Sequence, residues 1–294
     1  FTAVYSRNFE KAKAFAEQYG VKACSSIEEM ASQAGVEAAL ICTPHPAHAE
    51  TAVKASKAGM HVLVEKPLTL SSDESLKLVE LAEKNNIQLM VGHVLLFHPA
   101  IRKIKELIDN GKVGKLHYIY SNRLNLGTVR TEENVFWSLA PHDISIFDYF
   151  VGKPAGSIQA QGQKFLQKNV FDSTMAELSY PDNIHGHIFA SWLHPFKEHR
   201  LVVVGSKGML SFEDSSKEKN IIFYDKHISF EEGLPVKNEK PEEIISYEKG
   251  MALTEELKYF VDHLDSKIEV ADGRSGYEVV KVLEEVQSLL DRSN

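Results

Sequence analysis

Four short apolar runs each end in residues that can do chemistry. Residues 61–64 lead into Glu65-Lys66-Pro67, and residues 38–42 lead into Thr43-Pro44-His45-Pro46-Ala47-His48. Residues 87–91 lead through Gly92 to His93, and residues 1–5 lead to Ser6 and Arg7. Apolar runs of this length read as buried strands. Proline continues neither a central strand nor a helix interior, so the chain turns at Pro44 and Pro67. In an open parallel sheet the carboxyl ends of the strands are where ligands bind. Lys66 can donate there to a hydroxyl or carbonyl oxygen and lower the cost of negative charge on it. Delivery of polar groups by three separate strands to one rim favours a site over coincidence.

A second set lies further on. His142 opens a helix after Pro141, and a histidine can take a proton from a secondary alcohol at neutral pH. The adjacent Asp143 reads as a first-turn acid favoured by the helix dipole. Arg123 and Asn125 share one face of a long strand and Asn122 takes the other, and Arg130 follows in a loop. These four are candidates for binding a sugar hydroxyl or a phosphate. His45 and His48 are three apart, but no third ligand has suitable spacing, so no metal site is expected. His185, His187, His194 and His199 read as ordinary sheet residues.

The elements that must hold these groups alternate in the first third. Strands at 1–5, 38–42, 61–64 and 87–91 are separated by helices. One is capped by Asn8 and stopped by Gly20, with Ala12, Phe15, Ala16 and Tyr19 on one face. A second spans 47–58. A third starts at Ser71, with Glu74 at capping-box spacing, and runs to residue 85. This alternation predicts right-handed crossovers and a parallel sheet. After His98-Pro99 the pattern changes. A helix is expected at 99–110, a strand at 115–126 and a helix at 141–150. Strands follow at 157–165, 172–180, 185–192, 200–204, 209–213 and 220–224 without helices between them, which implies an antiparallel or mixed sheet. Residues 231–247 read as a loop, and helices at 251–264 and 275–290 close the chain. Two domains are therefore expected, 1–98 and 99–294, with the last helix packing back toward the first.

The chain has 294 residues, a net charge of −8 and 43% hydrophobic residues. That supports real cores and gives no electrostatic basis for binding nucleic acid. Two cysteines, Cys24 and Cys42, are too few for a disulfide framework, so a reducing, cytoplasmic setting is expected. No apolar stretch is long enough to span a bilayer, and no signal peptide is evident. The sequence opens directly on a strand, and a segment ahead of Phe1 is expected.

The motifs together resemble the Gfo/Idh/MocA family of NAD(P)-dependent oxidoreductases. They are Ile41-Cys42-Thr43-Pro44-His45-Pro46-Ala47-His48, Val64-Glu65-Lys66-Pro67-Leu68, Gly92-His93 with Phe97-His98-Pro99-Ala100, Pro141-His142-Asp143, Gly205-Ser206-Lys207-Gly208 and Asp272-Gly273-Arg274-Ser275-Gly276-Tyr277. The resemblance implies an α/β Rossmann-like domain, here lacking its first strand and its Gly-x-Gly-x-x-Gly loop, and then an α+β domain with an open, mainly antiparallel sheet. It implies a homodimer or homotetramer through that sheet. It also implies Lys66 against substrate and nicotinamide, His142 as the catalytic histidine, and hydride transfer from a sugar carbon. Cofactor contacts then fall on Ser6, Arg7, Thr43, Pro44, His45, His48, Glu65, Lys66 and His93. Substrate contacts fall on Lys66, Asn122, Arg123, Asn125, Arg130 and His142.

Two positions depart from the family pattern. Ser138 stands where many members have an aspartate four residues before the histidine, and Leu96 stands where many have an arginine. The stretches 121–127, 130–134 and 137–143 resemble the UDP-sugar 3-dehydrogenases, which oxidise the 3-hydroxyl of UDP-N-acetylglucosamine or its uronic acid. The alternatives are a free-sugar or inositol dehydrogenase, for which Arg123 and Arg130 are the discriminating residues, and a cofactor-binding protein without turnover. Arg7 offers charge to a 2′-phosphate with no acid beside it in sequence, whereas the resemblance leans slightly to NAD over NADP.

Overall fold

A computed structural model describes residues 1–292, apart from the side chain of Gln33. The chain divides into two compact units. One is Phe1–His93 with Glu256–Val280, and the other is Val94–Glu255 with the segment from Lys281 onward. The expected boundary near His98 thus falls at His93, and residues 256–280 join the first unit.

The first unit alternates β1 (Ala3–Tyr5), α1 (Phe9–Tyr19), β2 (Lys22–Cys24), α2 (Ile27–Gln33), β3 (Ala38–Ile41), α3 (His48–Lys57), β4 (His61–Glu65), α4 (Ser72–Lys84) and β5 (Leu89–Gly92). These strands pair with one another in parallel, and Met90 of β5 also makes an isolated antiparallel bridge to Asp272. β1 pairs with β2, and β3, β4 and β5 form a separate three-stranded sheet with β4 central. Val62, Leu63 and Val64 of β4 are buried, as a strand covered on both faces requires. β2 and α2 were not expected: a three-residue strand carries too little pattern to read. Phe1 lies outside β1 and is exposed, with its ring edge-on to Phe15 and Tyr19. Of the expected apolar face of α1, only Ala12 and Ala16 are buried. Ser71 takes the N-cap position of α4 but makes no side-chain cap bond, so the capping box does not form. Thr69 organises this end instead, donating to Ser71 O at 2.5 Å and meeting Ser75 Oγ at 2.8 Å.

The second unit opens with α5 (Pro99–Asp109), β6 (Leu116–Leu126), α6 (Val135–Leu139) and α7 (Pro141–Val151). Strands β7 (Ser157–Gln163), β8 (Ser173–Tyr180), β9 (Ile184–Ser191), β10 (Leu193–Gly205), β11 (Met209–Glu213) and β12 (Ile221–Tyr224) follow. Then come β13 (Lys226–Glu231), β14 (Leu234–Glu239) and β15 (Glu243–Ile245). The main sheet has eight strands in the order β15-β12-β11-β10-β6-β9-β8-β7, antiparallel except for the parallel β6–β9 pair. The expected loop at 231–247 instead holds β14, β15 and the end of the β13–β14 hairpin. β10 begins earlier than expected, with a register irregularity between Leu193 and Glu198 where it crosses β6. Buried Trp192 anchors the core, donating from Nε1 to Asp172 at 2.6 Å, and the other oxygen of Asp172 accepts from the amides of Phe165 and Leu166. The last helices, α8 (Ala252–Asp262) and α9 (Gly273–Arg292), each contain a boundary between the units.

Candidate functional site

In the first unit the carboxyl ends of β3, β4 and β5 present Thr43, Glu65-Lys66 and His93. His48 begins α3 fully buried. Its Nδ1 lies 2.8 Å from the carbonyl oxygen of Pro67, and its Nε2 lies 2.8 Å from that of Thr43. Both partners are acceptors. A ring with one N–H donates to one of them, and a ring with two donates to both. His48 thus ties the turn after β3 to the turn after β4. Both ring nitrogens, expected at a cofactor contact, face the protein's own backbone. His45 is half-buried, with its ring 5.5 Å from that of His48. Thr43 Oγ1 is buried and has no hydrogen-bond partner among the described residues.

Glu65 folds back on its own strand end, its Oε2 accepting from the Lys66 amide at 3.3 Å. The same oxygen would stand 3.0 Å from a Cβ at Gly92, so glycine there lets the end of β5 lie under the carboxylate. His93 is 1% exposed, and neither of its ring nitrogens has a partner among the described residues. Burial, with the Lys66 charge second, pushes its pKa down to about 3, so the ring is neutral at physiological pH. Three buried polar atoms at the ends of β3 and β5, the strands on either side of β4, have no partner among the described residues, and a polar ligand would satisfy them. The rim fits a dinucleotide's polar end on that ground.

Ser6 and Arg7 follow β1. Ser6 Oγ accepts from the Asn8 amide at 3.3 Å, which ties it to the start of α1. Arg7 is exposed and within electrostatic reach of Glu50 on α3, so an acid does stand near it in space. Pro44 is exposed in the turn after β3.

The second unit holds the remaining candidates. Arg123 on β6 donates from Nε to both oxygens of Asp143, at 2.9 and 3.0 Å, with side chains 10% and 1% exposed. Burial pushes the Asp143 carboxyl up and the Arg123 guanidinium opposes it. Asp143 is therefore more than a first-turn acid: it fixes the start of α7 to β6. Arg123 and burial also push the His199 pKa down to about 4, burial being the larger cause. Asn122 donates to Glu198 at 2.8 Å. Asn125 is half-buried. Arg130 is exposed, with Nε 4.0 Å from Glu133. His142 is the second residue of α7 and half-buried, and its carbonyl accepts from Ser145 Oγ at 2.8 Å. Ser138 lies on α6, where its amide donates to Asn134 O at 3.1 Å.

Two residues escaped the sequence reading. Glu198 stands in the irregular stretch of β10, so no strand alternation marked it. Glu256 is buried on α8 beside Phe260 at helical spacing, an acid on an apolar face, and that was its available signal. Among the described residues no group of three metal-ligating side chains could hold a metal ion, and no helix is long and apolar enough to cross a membrane.

Residues 1–93 match the NAD-binding Rossmann fold of the GFO/IDH/MocA oxidoreductase family, and residues 101–211 match the GFO/IDH/MocA C-terminal domain. Myo-inositol 2-dehydrogenase from Thermotoga maritima is 26% identical over 71% of this chain and 66% of its own length. An uncharacterised oxidoreductase from Streptococcus pneumoniae is 24% identical over 69% of this chain and 59% of its own. The chain thus spans less than two thirds of the length of these curated relatives. Among solved structures, UDP-N-acetylglucosamine 3-dehydrogenase from Acidithiobacillus ferrooxidans superposes with a TM-score of 0.85 at 22% identity, covering 99% of this chain and 90% of that one. At that identity the likeness speaks to fold. With both family domains matched in order along one sequence, the chain belongs to the Gfo/Idh/MocA oxidoreductase family.

Proposed function

We propose that this chain serves an NAD(P)-dependent dehydrogenase that oxidises a secondary alcohol of a sugar, the 3-hydroxyl of a UDP-N-acetylhexosamine. The observation that carries it is the rim of the first unit, where Lys66 stands with the unpartnered polar atoms of Thr43 and His93. Thr43, Pro44, His45, Glu65, Lys66 and His93 would hold the cofactor, with Ser6 and Arg7 toward its adenosine end. The bound nicotinamide supplies the hydride acceptor. His142 takes the hydroxyl proton, and Lys66 donates to the oxygen while it carries partial negative charge. Ser138 offers no carboxylate to orient His142, so the Arg123–Asp143 pair, which fixes the backbone of α7 beside it, does that work.

A second substrate class has its own support. Arg123 is committed to Asp143 and Asn122 to Glu198, which leaves exposed Arg130 as the cation for a diphosphate. That favours a free sugar or inositol, as in the Thermotoga relative. Reduction of NAD and of NADP, followed at 340 nm with UDP-N-acetylglucosamine and with myo-inositol, separates the two. Turnover of the nucleotide sugar alone supports the first reading, and turnover of inositol alone replaces it. A cofactor-binding protein without turnover would reduce neither nucleotide with any sugar.

We also propose that the open face of the eight-stranded sheet pairs with a second copy of the chain. A groove of about 580 Å³ on that face is lined by Tyr118, Tyr120, Met175, Glu177, His187 and Phe189, with Tyr118 and Met175 exposed. Sedimentation gives the order of the assembly.

A further inference from the structure

The first turn of α9 holds two glycines, Gly273 and Gly276. Neither has a positive φ, and glycine is a weaker helix former than alanine, so backbone preference does not explain them. Space does. A Cβ at Gly273 would stand 2.6 Å from Leu89 Cδ2, and one at Gly276 would stand 2.4 Å from Val91 Cγ2. Leu89 and Val91 lie on one face of β5. Ordinary carbon contacts fall at about 3.5–4.0 Å, so each position lacks about 1 Å of room for a methyl. The backbone fixes the same close approach. The Val91 amide donates to Ala271 O at 2.8 Å, and Asp272 bridges Met90. Asp272 Oδ1 accepts from the Ser275 amide at 2.8 Å, and its carbonyl accepts from the Gly276 amide at 3.0 Å. Arg274 ties this turn to α4 through both oxygens of Glu83, at 2.8 Å each.

The two glycines differ in what they touch. The atoms nearest a Cβ at Gly273 all belong to Leu89, four residues before His93. A Cβ at Gly276 would meet Val91, two residues before His93, and also Leu68 Cδ2 at 3.4 Å, two residues after Lys66. We propose that Gly276 is a positioning residue for the rim: the bare backbone of α9 at this point sets where β5 presents His93 and where the turn after β4 presents Lys66, a role that rests on the rim being the cofactor site read above. Val91 and Leu68 are both buried, so a methyl at Gly276 pushes on side chains with no slack. A close-packed interior passes such a shift on to the residues they lead into. A methyl at Gly273 pushes on Leu89 alone, at the start of the strand. Moving binding groups by about 1 Å costs about tenfold or more.

Nitrogen-15 resonances of the His93 ring, assigned by their loss in His93→Asn, report where the ring sits. Fluorescence titration gives the Kd for NADH and for NADPH, and urea denaturation checks the fold of each variant. Gly276→Ala should move the ring resonances and weaken nucleotide binding about tenfold. Gly273→Ala, with a comparable loss in urea midpoint, should leave the resonances in place and the Kd within about threefold of the parent. Val91→Ala loosens the Gly276 contact from the other side and should also move the resonances. Combining it with Gly276→Ala leaves only the Cβ at position 91, 3.3 Å from the added methyl, and should return both readings to those of the parent. Where Gly276→Ala does not fold, Val91→Ala and the double variant make the same comparison. Resonances or a Kd that stay with the parent in folded Gly276→Ala overturn the role, as does equal weakening in Gly273→Ala or a double variant that fails to recover. If the parent binds neither nucleotide, the cofactor reading of the rim fails and the ring resonances alone decide. Moved by Gly276→Ala and not by Gly273→Ala, they sustain the positioning; unmoved, they overturn it.

Discussion

The imidazole of His48 lies 2.8 Å from the carbonyl oxygen of Pro67, nineteen residues away, while its other nitrogen meets Thr43 O at the same distance. Two turns that would otherwise be independent loops are thereby held to one ring. The turn at Pro67 carries Lys66, and the turn at Thr43 carries an unpartnered hydroxyl. Replacing His48 with Ala removes the donor and leaves buried carbonyls unsatisfied, at about 1–3 kcal/mol for each group so stranded. The expected outcome is a fall of about 2–4 kcal/mol in unfolding free energy, with weaker NAD(P) binding by the folded variant. Urea denaturation measures the first and nucleotide titration the second. A variant within about 0.5 kcal/mol of the parent would show that the ring holds nothing.

The Arg123–Asp143 pair gives a prediction with a built-in control. Asp143→Asn or Arg123→Met should each cost about 3–5 kcal/mol, because either leaves a buried group with the wrong partner. Removing both charges together, as Arg123→Met with Asp143→Leu, should cost less than the sum of the singles. A double-mutant cycle in denaturant reads the coupling. Strict additivity would mean that the two side chains touch without depending on each other.

His93 supplies a pH dependence. Its ring stays neutral in the folded chain down to about pH 3, against an ordinary value of 6.5. Between those values the unfolded chain binds the extra proton. Stability from this group is therefore fully present above pH 6.5 and is lost as the pH falls toward 3, by an amount on the order of a few kcal/mol. Urea midpoints measured from pH 7 to pH 4 should fall less steeply in His93→Asn than in the parent. Parallel curves would place the proton uptake elsewhere.

Much of this arrangement was legible and some was not, for physical reasons. The alternation of apolar runs with helical faces, and the placing of Glu65-Lys66, Thr43 and His93 at strand ends, follow from local pattern, and the parallel pairing of β3, β4 and β5 agrees with it. The turn of the polar β13–β14 hairpin and its second strand fall in the stretch 231–247 that reads as a loop. Its turn, Glu232-Gly233, has positive φ at both residues, a two-residue connection that the strands' low hydrophobicity concealed. The roles of His48 and Asp143 could not be read, because each depends on what tertiary packing brings near. His48 meets the carbonyl of a residue two elements away, and Asp143 meets a strand twenty residues earlier. Local spacing marks which face is buried; it does not name the partner.

The last prediction concerns the reaction. Lys66 ends the central strand of the first unit's three-stranded sheet, and His142 opens a helix of the second. If His142 is the base and Lys66 the electrostatic partner, each acts on the hydroxyl oxygen only as its proton departs and the hydride leaves the carbon that bears it. Loss of His142 should then appear in kcat rather than in binding, and loss of Lys66, which also faces the cofactor, in both. General base catalysis is worth about 10²–10⁴-fold, and removing one preorganised donor costs about 10²–10³-fold. His142→Ala and Lys66→Ala should each lower kcat by factors of that order, with His142→Ala leaving the NAD(P) Kd within about threefold. Steady-state NADH production with UDP-N-acetylglucosamine or myo-inositol, whichever turns over, gives kcat, and titration gives the Kd. A His142→Ala variant whose kcat stays within about threefold of the parent returns that histidine to a structural part in α7.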